Sequence, residues 1–217
     1  MDIELARANM IESQVRTWDV LDQRILDLLS QVKRERFVPP THRDLAFADL
    51  EIPLGQGESM LAPKLEARMI QSLGLKATDR VLEIGTGSGY MAALMAGLCA
   101  HVYTVELVAT FAAAATERLA AAGVRNVTVE QGNGAVGWAR HAPYDAIVLT
   151  GAVPLVPDEF KQQLAPGGRL LAVVGRPPIM TATLFTQVSA GVFSSEGLFE
   201  TRIAPLRQAR EPERFVF

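Results

Sequence analysis

A chain of 217 residues, 49% hydrophobic and 21% charged, has the composition of a folded globular protein rather than a disordered one. Its length suits one large domain and buries enough surface that no disulfide or metal staple is needed. A net charge of −3 lacks the basic excess of an obligate nucleic-acid binder, so no nucleic-acid partner is expected.

The start, Met1-Asp2-Ile3-Glu4, carries neither the basic residues nor the apolar run of a secretory leader. No apolar stretch reaches the ~20 residues of a membrane span. A cytoplasmic protein with no membrane partner is therefore expected. The single Cys99 cannot form an internal disulfide, which fits a reducing compartment, and reads as a buried, inert thiol. Residues 2–16 form a candidate first helix, with Ile3, Ala6, Met10 and Ile11 on one side. Asp19 to Asp22 then opens a second helix, with an Asp as N-cap and Leu21, Ile25, Leu28, Leu29 and Val32 as its apolar face. That helix must stop before Phe37-Val38-Pro39-Pro40, because proline lacks an amide hydrogen and restrains its predecessor.

From Thr41 to Met60 the punctuation by Pro53, Gly55 and Gly57 predicts a covering loop. Pro63 suits a first helical residue, Leu65, Met69 and Leu73 mark a buried face, and Gly74 is a natural stop. Lys64, Glu66 and Arg68 are then expected on the solvated face. Strands are predicted over 80–84, 101–105, 126–130, 144–149 and 169–174, with helices over 90–98, 110–122 and 157–164, the last stopped by Ala165-Pro166-Gly167-Gly168. Such βα units require a mostly parallel sheet with helices on both faces. The extended segments 181–188 and 198–206, around a turn at Ser189-Ala190-Gly191, suggest an antiparallel hairpin on one sheet edge.

The stretch that carries chemistry is Val81-Leu82-Glu83-Ile84-Gly85-Thr86-Gly87-Ser88-Gly89-Tyr90. A strand emptying into glycines and then a helix is the nucleotide-cradling unit of open α/β sheets. A dinucleotide fingerprint needs its third glycine where Tyr90 stands, a P-loop needs Gly-Lys-Ser/Thr, and Ser88 lacks the flanking glycines of a nucleophile elbow. Glu83 places a negative charge where a pyrophosphate would be repelled and a cation attracted. Glu106 ends the second strand, where a carboxylate accepts from ribose hydroxyls. S-adenosyl-L-methionine, with a ribose, a sulfonium, an ammonium and no phosphate, meets these demands. His42, His101 and His141 are scattered along the chain, and no metal site is expected.

The glycine stretch closely resembles motif I of the protein-L-isoaspartate O-methyltransferases. Arg36-Phe37-Val38-Pro39, residues 52–57, Val102 to Glu106, Gly132-Asn133-Gly134 with Gly137-Trp138, Pro143 to Val148 and Leu164 to Leu170 resemble further segments of that family, from about residue 20 to about 206. The resemblance implies a Rossmann-like methyltransferase: a doubly wound, mostly parallel seven-stranded sheet with an antiparallel C-terminal hairpin and an N-terminal helical cap. One domain is expected over 1–217, with helices and a cofactor-covering loop in 1–62 and the α/β core in 63–217. The implied reaction moves a methyl group to the free carboxylate of isoaspartyl residues in damaged protein, with a protein or peptide substrate and a monomeric enzyme. A carboxylate with a pKa near ~4 is already ionised at neutral pH, so no general base is needed.

Cofactor contacts are expected from Ser59, Met60, Glu83, Gly85, Thr86, Gly87, Ser88, Gly89, Glu106, Leu107, Gly132, Asn133, Gly134 and Thr150. Three positions depart from the family pattern. Leu61 stands where the family has its active-site Ser, with Ser59 at the family's Thr, so no catalytic residue is assigned. Asn133 replaces an Asp. The family's Gln after the fifth strand has no counterpart around Ile179-Met180-Thr181. A methyltransferase with another acceptor, and a cofactor-binding interaction protein without turnover, are the alternative readings; the second draws on the tail 207–217, with Phe215 and Phe217.

Overall fold

The computed structural model describes residues 2–211, so Phe215 and Phe217 lie outside the described residues. Asp2 caps α1 (Ile3–Met10) by accepting from the amides of Glu4 and Leu5. The helical run continues to Trp18 and ends at Asp19, which is left-handed at φ 60°. Asp22 caps α2 (Gln23–Gln31) by accepting from the Arg24 amide. Leu21 therefore precedes the helix, and at 69% exposure it does not belong to the buried face expected of it.

The covering segment is more than a loop, for it contains a hairpin in which β1 (Ile52–Gly55) pairs with β2 (Glu58–Met60). Gln56 and Gly57, both at positive φ, supply the backbone that a two-residue hairpin turn demands. Helix α3 (Pro63–Leu73) starts at Pro63 and ends at left-handed Gly74. Its Glu66 is buried, not solvated.

Then follow β3 (Arg80–Ile84), α4 (Tyr90–Ala96), β4 (His101–Glu106), α5 (Ala109–Ala121), β5 (Val127–Gln131), β6 (Tyr144–Leu149), α6 (Asp158–Gln162), β7 (Leu164–Arg176), β8 (Ile179–Ser189) and β9 (Val192–Glu200). They build one seven-stranded sheet ordered β5-β4-β3-β6-β7-β8-β9, parallel from β5 to β7 and antiparallel beyond. Two boundaries differ most from expectation. β7 runs back through Ala165-Pro166-Gly167-Gly168, read as a stop, because Leu164 already pairs with Tyr144. The last strand is Val192–Glu200, not 198–206. It is a largely exposed edge held by its ladder to β8, so it lacks the apolar alternation that would reveal it.

Alternating strand residues divide between two cores. Val81, Val148, Leu171 and Val173 face the N-terminal segment, α3 and α4. Leu82, Ile147, Leu170 and Ala172 face Phe160 of α6. Cys99 is buried, and burial pushes its thiol up to about 12, the inert state expected of it. At the N-terminal end of the parallel strands, Arg169 donates to the carbonyls of Leu73, Gly74 and Asp145 and pairs with Asp79 at 2.6 Å. The Arg80 amide donates to Asp145 at 2.8 Å there as well. The opposite end, where the glycine loop follows β3, is left for a site.

Candidate cofactor and acceptor site

A cavity of about 960 Å³, including its open mouth, lies at the C-terminal ends of β3, β4 and β6. The glycine loop forms one wall. The Gly85 amide donates to Val105 O and the Thr150 amide to Ile84 O, while the Thr150 hydroxyl donates to Gly85 O at 2.7 Å. Gly85 sits at φ +97°, and a Cβ there would fall well inside van der Waals distance of Thr150 Oγ1. Glu106 fastens the other side, with Oε2 accepting from the Gly87 amide at 2.8 Å and Oε1 from the Val108 amide at 2.9 Å. Each carboxylate oxygen has a second lone pair to offer a ligand hydroxyl.

Beneath the loop the Thr86 hydroxyl lies 2.6 Å from that of Thr104, which donates to Glu83 Oε2 at 2.6 Å. Glu83 is fully buried, and its Oε1 has no partner among the described residues. Burial pushes the Glu83 carboxyl up to about 8; the Thr104 hydroxyl opposes this, and the Glu66 and Glu106 carboxylates add to it. An orphaned acid oxygen lining a cavity fits a ligand that brings a cation or a donor. The residues present thus suit S-adenosyl-L-methionine.

Behind the covering hairpin, Arg34 is fully buried. It donates to Ala46 O at 2.9 Å and Leu61 O at 2.7 Å, pairs with Glu66, and lies over the Tyr90 ring at 4.9 Å. Burial raises Glu66 to about 7 against the pull of Arg34. Charge alone points Glu66 to solvent, but its spacing does not: with Ile70 and Leu73 it falls at i, i+4 and i+7, one buried stripe.

All the expected cofactor residues line the cavity except Gly89, and Leu61 lines it too. Gly89 lies instead at the start of α4, where a Cβ would press on Ala115 and Leu119 of α5. Ser88 is buried, and its Oγ accepts from the Tyr90 amide at 3.2 Å. Asn133 spends its Oδ1 on the Ala135 amide at 3.0 Å, so the side chain shapes the turn as well as facing the cavity. Gly132 leaves room for the Trp138 ring, which a Cβ would strike. None of the three histidines lines the cavity, and the described residues hold no cluster of three or more metal-ligating side chains. No helix among them is long and apolar enough to cross a membrane.

Sequence reasoning missed Glu58, Glu66 and Arg207. Arg207 reaches the mouth through the C-terminal segment, whose Leu206 amide donates to Ala152 O at 2.8 Å. No local pattern announces such a return of the chain.

The raised carboxyls set a pH dependence. Each lies above its ordinary value of 4.5, so its contribution to stability is complete at acid pH and is lost as pH rises through about 7 and about 8. A bound cation favours the ionised form of Glu83. Calorimetry of S-adenosyl-L-methionine binding at neutral pH, in buffers of different ionisation heat, is expected to show proton release, and affinity should gain on the order of tenfold from about pH 6 to about pH 8. Glu83→Gln should abolish the release; an unchanged release would take Glu83 out of the site.

The protein-L-isoaspartate(D-aspartate) O-methyltransferase family model matches residues 6–211. Protein-L-isoaspartate O-methyltransferase 1 of Rhodopseudomonas palustris (strain HaA2) is 41% identical over 201 residues, covering 92% of this chain and 82% of that protein. The protein-L-isoaspartate O-methyltransferase of Methylorubrum populi is 39% identical over 203 residues, covering 94% and 95%. A solved protein-L-isoaspartate O-methyltransferase superposes with a TM-score of 0.79 at 27% identity, covering 92% of this chain and 65% of that one. A Plasmodium falciparum structure of that description, in complex with S-adenosyl-L-homocysteine, gives a TM-score of 0.80 at 17% identity, covering 96% and 99%, and shares the fold.

Proposed function

The chain belongs to the protein-L-isoaspartate O-methyltransferase family, and on that premise we propose that it methylates isoaspartyl carboxylates in protein or peptide substrates, using S-adenosyl-L-methionine held in the cavity at the ends of β3, β4 and β6. The observation that carries this reading is the unpartnered oxygen of buried Glu83 beside a glycine loop and Glu106, a site for a cationic nucleoside without phosphate. The cofactor supplies a methyl on a positively charged sulfur; a carboxylate oxygen that takes it leaves an ester and a neutral thioether, with no proton to move.

The residues of this chain then have three tasks. Glu83 offers its free oxygen to the cationic end, with Thr104 and Thr86 fixing its orientation. Glu106 offers its remaining lone pairs to the ribose while holding the loop. The β1–β2 hairpin, with Ser59 and Met60, covers the cavity and helps exclude water. Positioning of this kind is worth roughly 7–11 kcal/mol when an attacking atom is aligned. A cytoplasmic monomer is the setting we infer, by kinship with the family whose model matches residues 6–211.

Incubation with methyl-labelled cofactor and an isoaspartyl peptide is expected to give base-labile label on the peptide and none on its aspartyl counterpart. Label on neither peptide would sink the substrate assignment. A second acceptor class is favoured by one observation: Leu61 puts an apolar side chain at the cavity where the family pattern has a hydroxyl. Turnover on another carboxylate, with none on the isoaspartyl peptide, would select it.

A further inference from the structure

Among the residues lining the cavity, Glu58, Glu66, Glu83 and Glu106 carry carboxylates and only Arg207 carries a cation. The acids suit a cationic cofactor. An isoaspartyl acceptor is an anion, however; Arg34 answers Glu66 and the cofactor's cation answers Glu83, but Glu58 at the mouth and Glu106 still oppose its approach unless Arg207 meets it. Leu61 supplies no hydroxyl to receive it.

Arg207 stands at the mouth with its side chain 42% exposed. Its Nε pairs with Glu58 and its Nη2 donates to Gln56 O, both on the covering hairpin; Nη1 makes no hydrogen bond among the described residues. The chain beneath it is fixed. The Ala152 and Leu206 amides exchange bonds with Ala204 O and Ala152 O at 2.8 Å each, and a Cβ on Gly151 would meet Leu206 Cα at 2.7 Å. A rigid base therefore carries a guanidinium that already holds one carboxylate and has donors to spare. A planar fork of this kind suits two-pronged carboxylate recognition.

We propose that Arg207 receives the acceptor carboxylate, with the substrate anion displacing Glu58 from the guanidinium, and so selects anionic acceptors. This rests on the isoaspartyl reading above. Glu58 is the internal occupant that the substrate replaces.

The test combines steady-state methylation of an isoaspartyl peptide with calorimetric titration of cofactor, for the wild type, Arg207→Gln, Arg207→Lys and Glu58→Gln. Arg207→Gln is expected to raise the peptide KM about 10–100-fold, the loss of a charge-assisted bond, with cofactor affinity within about twofold of wild type. Arg207→Lys should recover part of the loss, having charge but no fork. Glu58→Gln should lower the peptide KM, because the competing anion is gone. A purely structural latch between hairpin and C-terminal segment would be broken equally by either Gln substitution. KM shifts in the same direction for both, or a KM unmoved by Arg207→Gln in an active enzyme, would overturn the proposal. A wild type that binds cofactor but leaves the peptide unmethylated would instead refute the isoaspartyl reading, and this inference with it.

Discussion

Replacing Arg34 with Met is expected to cost about 3–5 kcal/mol of stability, because Glu66 loses its buried counter-ion and must take up a proton while two buried carbonyls lose their donor. Both side chains are almost wholly buried, at 0% and 4% exposure, so water cannot take over the solvation that the guanidinium provides. The carbonyls of Ala46 and Leu61 lose their donor in the same step. For a chain of this size the melting temperature should fall by roughly 6–20 °C, at about 2–4 °C per kcal/mol. Adding Glu66→Leu should restore most of that loss, since a well-packed apolar pair can replace a buried ion pair at little cost. Thermal unfolding of the single and double variants checks this, and a single variant that melts like wild type would show that the pair does not hold the hairpin down.

Gly85→Ala should lower methyl transfer by about 100-fold, the scale on which a displacement of about 1 Å acts. The residue has φ +97°, and its added Cβ would collide with Thr150 Oγ1. Thr150 has little room to yield, since its amide and hydroxyl are tied to Ile84 and Gly85. The loop must move instead, taking the Gly87 amide from Glu106. The fold should lose only about 1–3 kcal/mol to backbone strain, so activity falls much further than stability. Combining it with Thr150→Ala removes the collision but not the strain, and should return part of the lost rate. Cofactor titration beside a melting curve separates the two effects; full activity in Gly85→Ala would mean that the loop's path is not what positions the cofactor.

What could be read from the sequence was what neighbours in the chain decide. Glu83, Gly85, Gly87 and Glu106 all lie within one βαβ unit, so their spacing places them together once a parallel sheet is inferred. The parallel strands announced themselves by short apolar runs between glycine stops. Glu66 was within reach, since its spacing from Ile70 and Leu73 gives its face, but its partner Arg34 lies 32 positions earlier and only tertiary packing joins them. Arg207 is further still from the hairpin it meets, being 151 positions from Gln56. The edge strand β9 escaped for a different reason: exposed on most of its length, it has backbone pairing without a side-chain pattern.

The ties made by Arg169 and Asp145 bear on how such a protein can change over generations. They clamp the N-terminal ends of the strands, whereas Glu58, Leu61 and Arg207 stand around the cavity at the other end. Substitutions among those three leave the clamp untouched, so they can be tried without loosening the sheet. Sheet integrity and the make-up of the cavity mouth are therefore separable traits in this fold. The mouth can be rebuilt residue by residue while the strand ends stay clamped.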